Sequence, residues 1–226
     1  MTLDLDSVDR DGAVREARDA VLSRAQLLGG AVAALAAAGL ATAGVASAQV
    51  GTRDRSVLGY LLSLEYLQDA FYTEAERLGA LGGSVAAATQ VLGRVERAHV
   101  QAFRELLGSS AAARPRFDFQ GATEDELAFL RTALALEELS VGAYAGQATR
   151  LQSPEILQST MDIHTVEARH AAWLRRLLDM RPTEGSFDRP RDRRSVVGTI
   201  ASKGFVVARS EVPTTHRRRR TPRFTG

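Results

Sequence analysis

The sequence contains no cysteine, which removes disulfide frameworks, thiolate zinc sites, iron–sulfur clusters and thiol nucleophiles at once. Aromatic residues are few, 6% of the chain. With alanine abundant, that scarcity disfavours a strand-rich sandwich and favours helices. Lysine is almost missing: Lys203 is the single one among 29 basic residues. Genome composition produces skews of this kind, so the arginines are not read as phosphate ligands one by one. What remains is globular in kind, with 45% hydrophobic and 25% charged residues over 226 positions, enough to bury a core unaided.

Charge is unevenly spread. Residues 1–180 sum to −6 and residues 181–226 to +8, and an acidic body with a basic tail speaks against a nucleic-acid-binding domain. Charge is also absent from one long run, Ala25 to Thr52. Arg15, Arg18 and Arg24 precede it, and Ala46-Ser47-Ala48 offers an A-x-A cleavage site within it. That layout predicts an export signal over residues 1–50, or a membrane tether through residues 25–50, since about 20 apolar residues span a bilayer. The protein is therefore expected outside the cytoplasm. SRAQLL is similar to a twin-arginine signal in which Ala25 replaces the second arginine.

From Ser56 onward, helical periodicity recurs four times. The first segment runs from Ser56 to Leu78. The second runs from Ser84, a candidate N-cap, to Leu107. The third runs from Thr123, where Thr123 and Glu126 match a capping box, to Leu151. The fourth starts at Ser153-Pro154 and continues to Met180 before Pro182. The pattern predicts an all-α four-helix bundle over residues 51–181, followed by an extension over 182–226. Within that extension, residues 193–209 are expected to form a short helix and an apolar docking segment, and Arg217–Arg220 a basic disordered tail.

The inward ladders decide the chemistry. They are Leu58, Leu61, Glu65, Gln68, Tyr72 on the first helix and Leu92, Glu96, His99, Phe103, Leu106 on the second. The third carries Leu127, Leu130, Leu134, Glu137, Val141, Tyr144, and the fourth Ile156, Thr160, Ile163, Glu167, His170, Leu174, Leu177. Each ladder has a glutamate at mid-height, and two add a histidine three residues later, on the same face. An uncompensated buried carboxylate loses several kcal/mol of solvation, roughly. A pair of divalent cations compensates four carboxylates and two neutral imidazoles. Glu137 is chosen over Glu138 because it continues its ladder. Tyr72 and Tyr144 are expected as core aromatics with bonded hydroxyls, His164 beside the ladder, and Trp173 at the bundle edge.

Residues 56–180 resemble the ferritin-like superfamily, in particular bacterial ferritin-like-domain proteins related to plant desiccation-associated proteins. The resemblance lies in LGYLLSLEYLQDAFY (58–72), VERAHVQAF (95–103), ALALEELSVGAYAG (133–146), TVEARHAAWL (165–174) and Phe117-Asp118-Phe119. It implies a long second-to-third crossover, here residues 108–122. It also implies two iron ions, with manganese as the alternative, bridged by Glu96 and Glu167. Glu65 and Glu137 would then be terminal ligands, with one of His99 and His170 on each metal. Such proteins often carry a second acid where this chain has Gln68, so Gln68 is expected to support ligands. The implied activity is oxidation chemistry with O₂ or peroxide in stress protection, with a manganese catalase-like enzyme as a close variant; a homo-oligomer is a separate expectation. A non-catalytic structural protein of the cell envelope, protective in stress or desiccation, is the alternative.

Overall fold

The computed structural model describes residues 50–207. The export or anchor segment, save for its last residue, and the tail containing Arg217–Arg220 lie outside the described residues. Among the described residues, no helix is long and apolar enough to cross a membrane. Four long helices form: α1 (Thr52–Leu78), α2 (Gly83–Leu107), α3 (Glu126–Ala148) and α4 (Pro154–Leu177). A shorter α5 (Arg193–Lys203) follows. The dipeptides β1 (Arg116–Phe117) and β2 (Val206–Val207) pair antiparallel, a ribbon the all-α expectation did not contain.

The ends of the helices show how the chain is punctuated. Gly79 ends α1 in the left-handed conformation, at φ 62°, with its N–H on the Ala75 carbonyl. Ser153 caps α4 by accepting from Ile156 N, and Pro154 occupies the first turn. Other starts depart from expectation. α1 begins at Thr52 rather than Ser56, and α2 follows Gly82 with no side-chain cap, so Ser84 caps nothing. α3 is capped by Asp125, which accepts from Ala128 N, and the Thr123–Glu126 box does not form. Both of its members serve tertiary contacts instead. Thr123 donates to Glu74, and Glu126 accepts from Gly82 N. α4 ends at Leu177 and closes in a turn through Asp179, at φ 57°, short of Met180.

These contacts also set the direction of the helices. The start of α3 meets the start of α2 through Glu126 and Gly82. The first turn of α1 meets the start of α4, where Asp54 accepts from Gln152 N and Ser153 N. Hence α1–α2 and α3–α4 are antiparallel hairpins, and the 108–125 connection is a parallel crossover, as a bundle with one long loop requires. The crossover covers the outside of α1. Tyr66 donates to the Ala112 carbonyl, Arg114 pairs with the nearly buried Asp69 at 2.7 Å, and Phe119 meets Phe71 edge-on at 5.1 Å. α5 adds Val196, fully buried, and Arg193 over the Tyr60 ring. α1 is thereby buried on most sides.

Two apolar clusters result. One surrounds Phe71, Leu92, Phe129, Leu130 and Leu174, and the other Leu58, Leu61, Phe103, Leu139 and Tyr144. Two ladder residues do not face inward: Leu106 is 38% exposed, with Leu107 buried in its place, and Leu127 is 47% exposed. Leu127 lies in the first turn of α3, beside the turn residues Leu178 and Met180 that line a shallow surface groove with it. Helix α4 has ended there, and no facing helix remains to cover Leu127. Beyond α4, a strap crosses α3 where Gly142 and Gly146 leave room. A Cβ on Gly146 would stand 2.0 Å from the Arg191 carbonyl oxygen.

Candidate metal centre

At mid-height, each of the four long helices turns a carboxylate inward. Glu65, Glu96, Glu137 and Glu167 are all 0% exposed, and His99 and His170 only 7% and 5%. The structure thus brings all six sequence-predicted residues to one place. They form two overlapping groups, each with donor atoms within 4.8 Å of one another. One comprises Glu65, Glu96, His99 and Glu167, the other Glu96, Glu137, Glu167 and His170. Glu96 and Glu167 belong to both.

The ring nitrogens point into these groups. His99 Nδ1 lies 3.0 Å from Glu167 Oε1, 3.3 Å from Glu65 Oε2 and 3.5 Å from Glu96 Oε2. His170 Nδ1 lies 2.8 Å from Glu96 Oε1 and 3.7 Å from Glu137 Oε2. Close as they are, neither Nδ1 makes a hydrogen bond, and Glu65 Oε2, both oxygens of Glu96 and Glu167 Oε1 have no partner either. Buried polar atoms are normally satisfied. Here they converge on common points without bonding one another, which is the arrangement of a chelating set. Carboxylates and imidazoles suit a divalent transition metal, so the residues present fit a metal pair.

Around this set, two tyrosines are placed reciprocally. Tyr72, seven residues after Glu65, donates to Glu137 Oε1, and Tyr144, seven residues after Glu137, donates to Glu65 Oε1. Gln68 donates its amide to Glu137 Oε2 at 2.7 Å and to Glu167 Oε2 at 3.0 Å, so it touches the candidate ligands through hydrogen bonds. The repeated glutamate-to-tyrosine spacing of two helical turns was the available signal for this swap. Glu138 faces outward instead and pairs with Arg175, itself bonded to Glu184. His164 lies beside the Tyr144 ring, with Asp188 at 3.9 Å from its Nε2, and is absent from both donor groups. Trp173 is 40% exposed on α4. The ladders carried no signal for the buried Arg175 or for the buried Ser140 hydroxyl.

The electrostatics are those of too many carboxylates in one dry layer. Burial first, then the charge of Glu167, pushes Glu65 up to about 8. Burial, with Glu96 and Glu167, raises Glu137 well above the usual carboxylate range. For His170 burial works downward, but the carboxylates of Glu137 and Glu96 outweigh it and lift the ring to about 10. His99 is raised further, by Glu167, Glu65 and Glu96 acting against the same burial penalty. Glu167 goes the other way: burial would raise it, and the two histidines, His99 foremost, hold it to about 2. Burial and the neighbouring glutamates raise both tyrosines, which stay protonated as donors.

The two hairpins are tightly knit internally, whereas α2 and α4 touch thinly. On those two helices the His99 and His170 rings lie near-parallel at 6.2 Å and retain their slight exposure.

A family model for the ferritin-like domain matches residues 53–180, the span of the four long helices. Comparison with curated proteins gives no match.

Proposed function

We propose that this chain, which belongs to the ferritin-like domain family, holds two divalent metal ions, iron first among them, for redox chemistry with O₂ or peroxide in stress protection outside the cytoplasm. One observation carries the metal reading: the unpartnered oxygens and ring nitrogens of six buried residues that converge in two groups. Glu65 and His99 would hold one ion and Glu137 and His170 the other, with Glu96 and Glu167 shared. The choice of iron follows the family resemblance, because glutamate and imidazole discriminate weakly between iron and manganese. The export reading rests on the uncharged Ala25–Thr52 run with its A-x-A site, and protection in stress on the resemblance to desiccation-associated proteins.

Bound ferrous iron supplies one electron per ion, enough to reduce one hydrogen peroxide to two waters with two protons. The protein's own work is positioning and proton control. Tyr144 and Tyr72 fix one oxygen each of Glu65 and Glu137, so each terminal carboxylate has a set orientation. Glu96, with neither oxygen held by a protein donor, and Glu167, held only at Oε2 by Gln68, would be the two carboxylates shared between the ions. The apolar clusters on either side keep bulk water out of the layer, and the slightly exposed His99 and His170 rings would be the ligands nearest an arriving small oxidant.

The test is metal analysis of the full chain loaded anaerobically with Fe²⁺ or Mn²⁺, beside a Glu96→Ala/His99→Ala variant. Two metals per chain, falling to one or none in the variant, with peroxide loss coupled to Fe²⁺ oxidation, is the expected result. Oxygen release from peroxide by the Mn²⁺ form would mark the catalase-like variant. No uptake by a well-folded helical protein would overturn the reading and leave a structural envelope protein.

A further inference from the structure

The two hairpins repeat one another around the site. Glu65 corresponds to Glu137, Glu96 to Glu167, His99 to His170 and Tyr72 to Tyr144, each pair at the same place in its hairpin. Beside these ligand and tyrosine pairs, one polar position breaks the correspondence. Three residues after the first glutamate stands Gln68 in α1 and Ser140 in α3, each 1% exposed.

The difference reaches the donor atoms. The Gln68 amide holds Glu137 Oε2 and Glu167 Oε2, one oxygen from each of two glutamates in the Glu96–Glu137–Glu167–His170 group. On the other side, the shorter Ser140 has a hydroxyl with no partner, and the corresponding oxygens, Glu65 Oε2 and those of Glu96, are likewise unpartnered. Glu167 straddles the two environments. Its Oε2 is tied by Gln68, while its free Oε1 faces His99 at 3.0 Å.

We propose that Gln68 makes the two metal positions unequal. The Glu65–Glu96–His99–Glu167 position fills first, and the Glu137–His170 position fills second and more weakly. The inference rests on the dimetal reading above. A cation arriving at the second position must share or displace an amide donor already on two of its oxygens. The first position has, in Glu65 Oε2, a terminal carboxylate oxygen with no competing donor, whereas both oxygens of Glu137 already accept. A hydrogen bond to a charged group corresponds to about one to two decades in an equilibrium constant, so the two steps are separated by about 10- to 100-fold. Gln68 is a positioning residue, since it acts through Glu137 and Glu167.

Isothermal titration of the metal-free full chain with Mn²⁺, which needs no oxidant, resolves the steps. Wild type gives a strong and a weak step, His170→Ala loses the weak one, and His99→Ala loses the strong one. Gln68→Ser, which copies the Ser140 side, strengthens the weak step by about tenfold and leaves the strong one in place. Equal steps in wild type overturn the proposal while leaving the dimetal reading standing. So does a Gln68→Ser protein whose weak step is unchanged or weaker. If that variant does not fold, the histidine variants still decide, because loss of the weak step in His99→Ala reverses the order and sinks the idea. No Mn²⁺ uptake by folded wild type removes both readings together.

Discussion

Within one turn of α1, Phe71 joins an aromatic stack while Gln68 gives its amide to two buried glutamates. Phe71 lies parallel to Phe129 at 5.2 Å and edge-on to Phe119 at 5.1 Å. Gln68 sits among groups whose oxygens and nitrogens are only partly satisfied. The two regions share helices and burial, but their free energies have different origins. The aromatic layer is stabilised by area removed from water and by close packing. The carboxylate layer is opposed by burial and is held in place by the frame around it. The apolar layers supply stability that the charged layer draws on for function.

The largest expected effect tests the apolar side. Phe71→Ala should lower unfolding free energy by about 3–5 kcal/mol, read by denaturant titration. The loss should be the same with and without metal, because no donor atom moves. A loss that depends on metal would merge the two layers into one. Glu65→Gln probes the opposite side. The Glu65 carboxyl is pushed up to about 8 by burial and is already protonated near neutrality, so the isosteric amide should change metal-free stability by less than about 1 kcal/mol. Metal affinity should fall by about 10-fold or more. A large stability loss with affinity intact would invert the comparison.

Acidity separates the layers more finely. Glu65 and His170 both have folded pKa values raised above their unfolded ones, to about 8 and about 10. Each therefore stabilises the metal-free protein fully below its unfolded value, and that contribution is lost as pH rises through the folded one. Glu167, held to about 2, contributes above its unfolded value and loses that contribution only in strong acid. The metal-free protein should accordingly lose about 5 °C or more in Tm between pH 6 and pH 9, measured by thermal melts. Metal binding requires the deprotonated ligands, so the loaded protein should hold its Tm across the same range. Parallel curves would show that the charged layer is not what titrates.

The carboxylate layer was legible in the sequence because it violates the apolar ladder at one height on all four helices, and a violation is easy to see. Glu137 was separable from Glu138 for the same reason: the ladder runs through one and past the other. The helix starts were harder. Thr123 and Glu126 have capping-box spacing, but Glu74 and Gly82 engage them first, and those partners are distant in sequence. Leu127 has the period of a buried residue, yet its exposure depends on where α4 stops, and Leu106 yields its inward place to Leu107. The asymmetry of Gln68 and Ser140 is written plainly in the chain, but its meaning depends on which oxygens each side chain reaches.

The small ribbon between β1 and β2 has a consequence of a different kind. It joins Arg116 to Val207 and Phe117 to Val206, strands that are distant along the chain. The Asp118 N–H on the Phe205 carbonyl extends the clasp. The clasp therefore ties the crossover to the segment that follows α5, closing a loop of chain that contains the second hairpin, and its amide protons report whether those two distant stretches are held together.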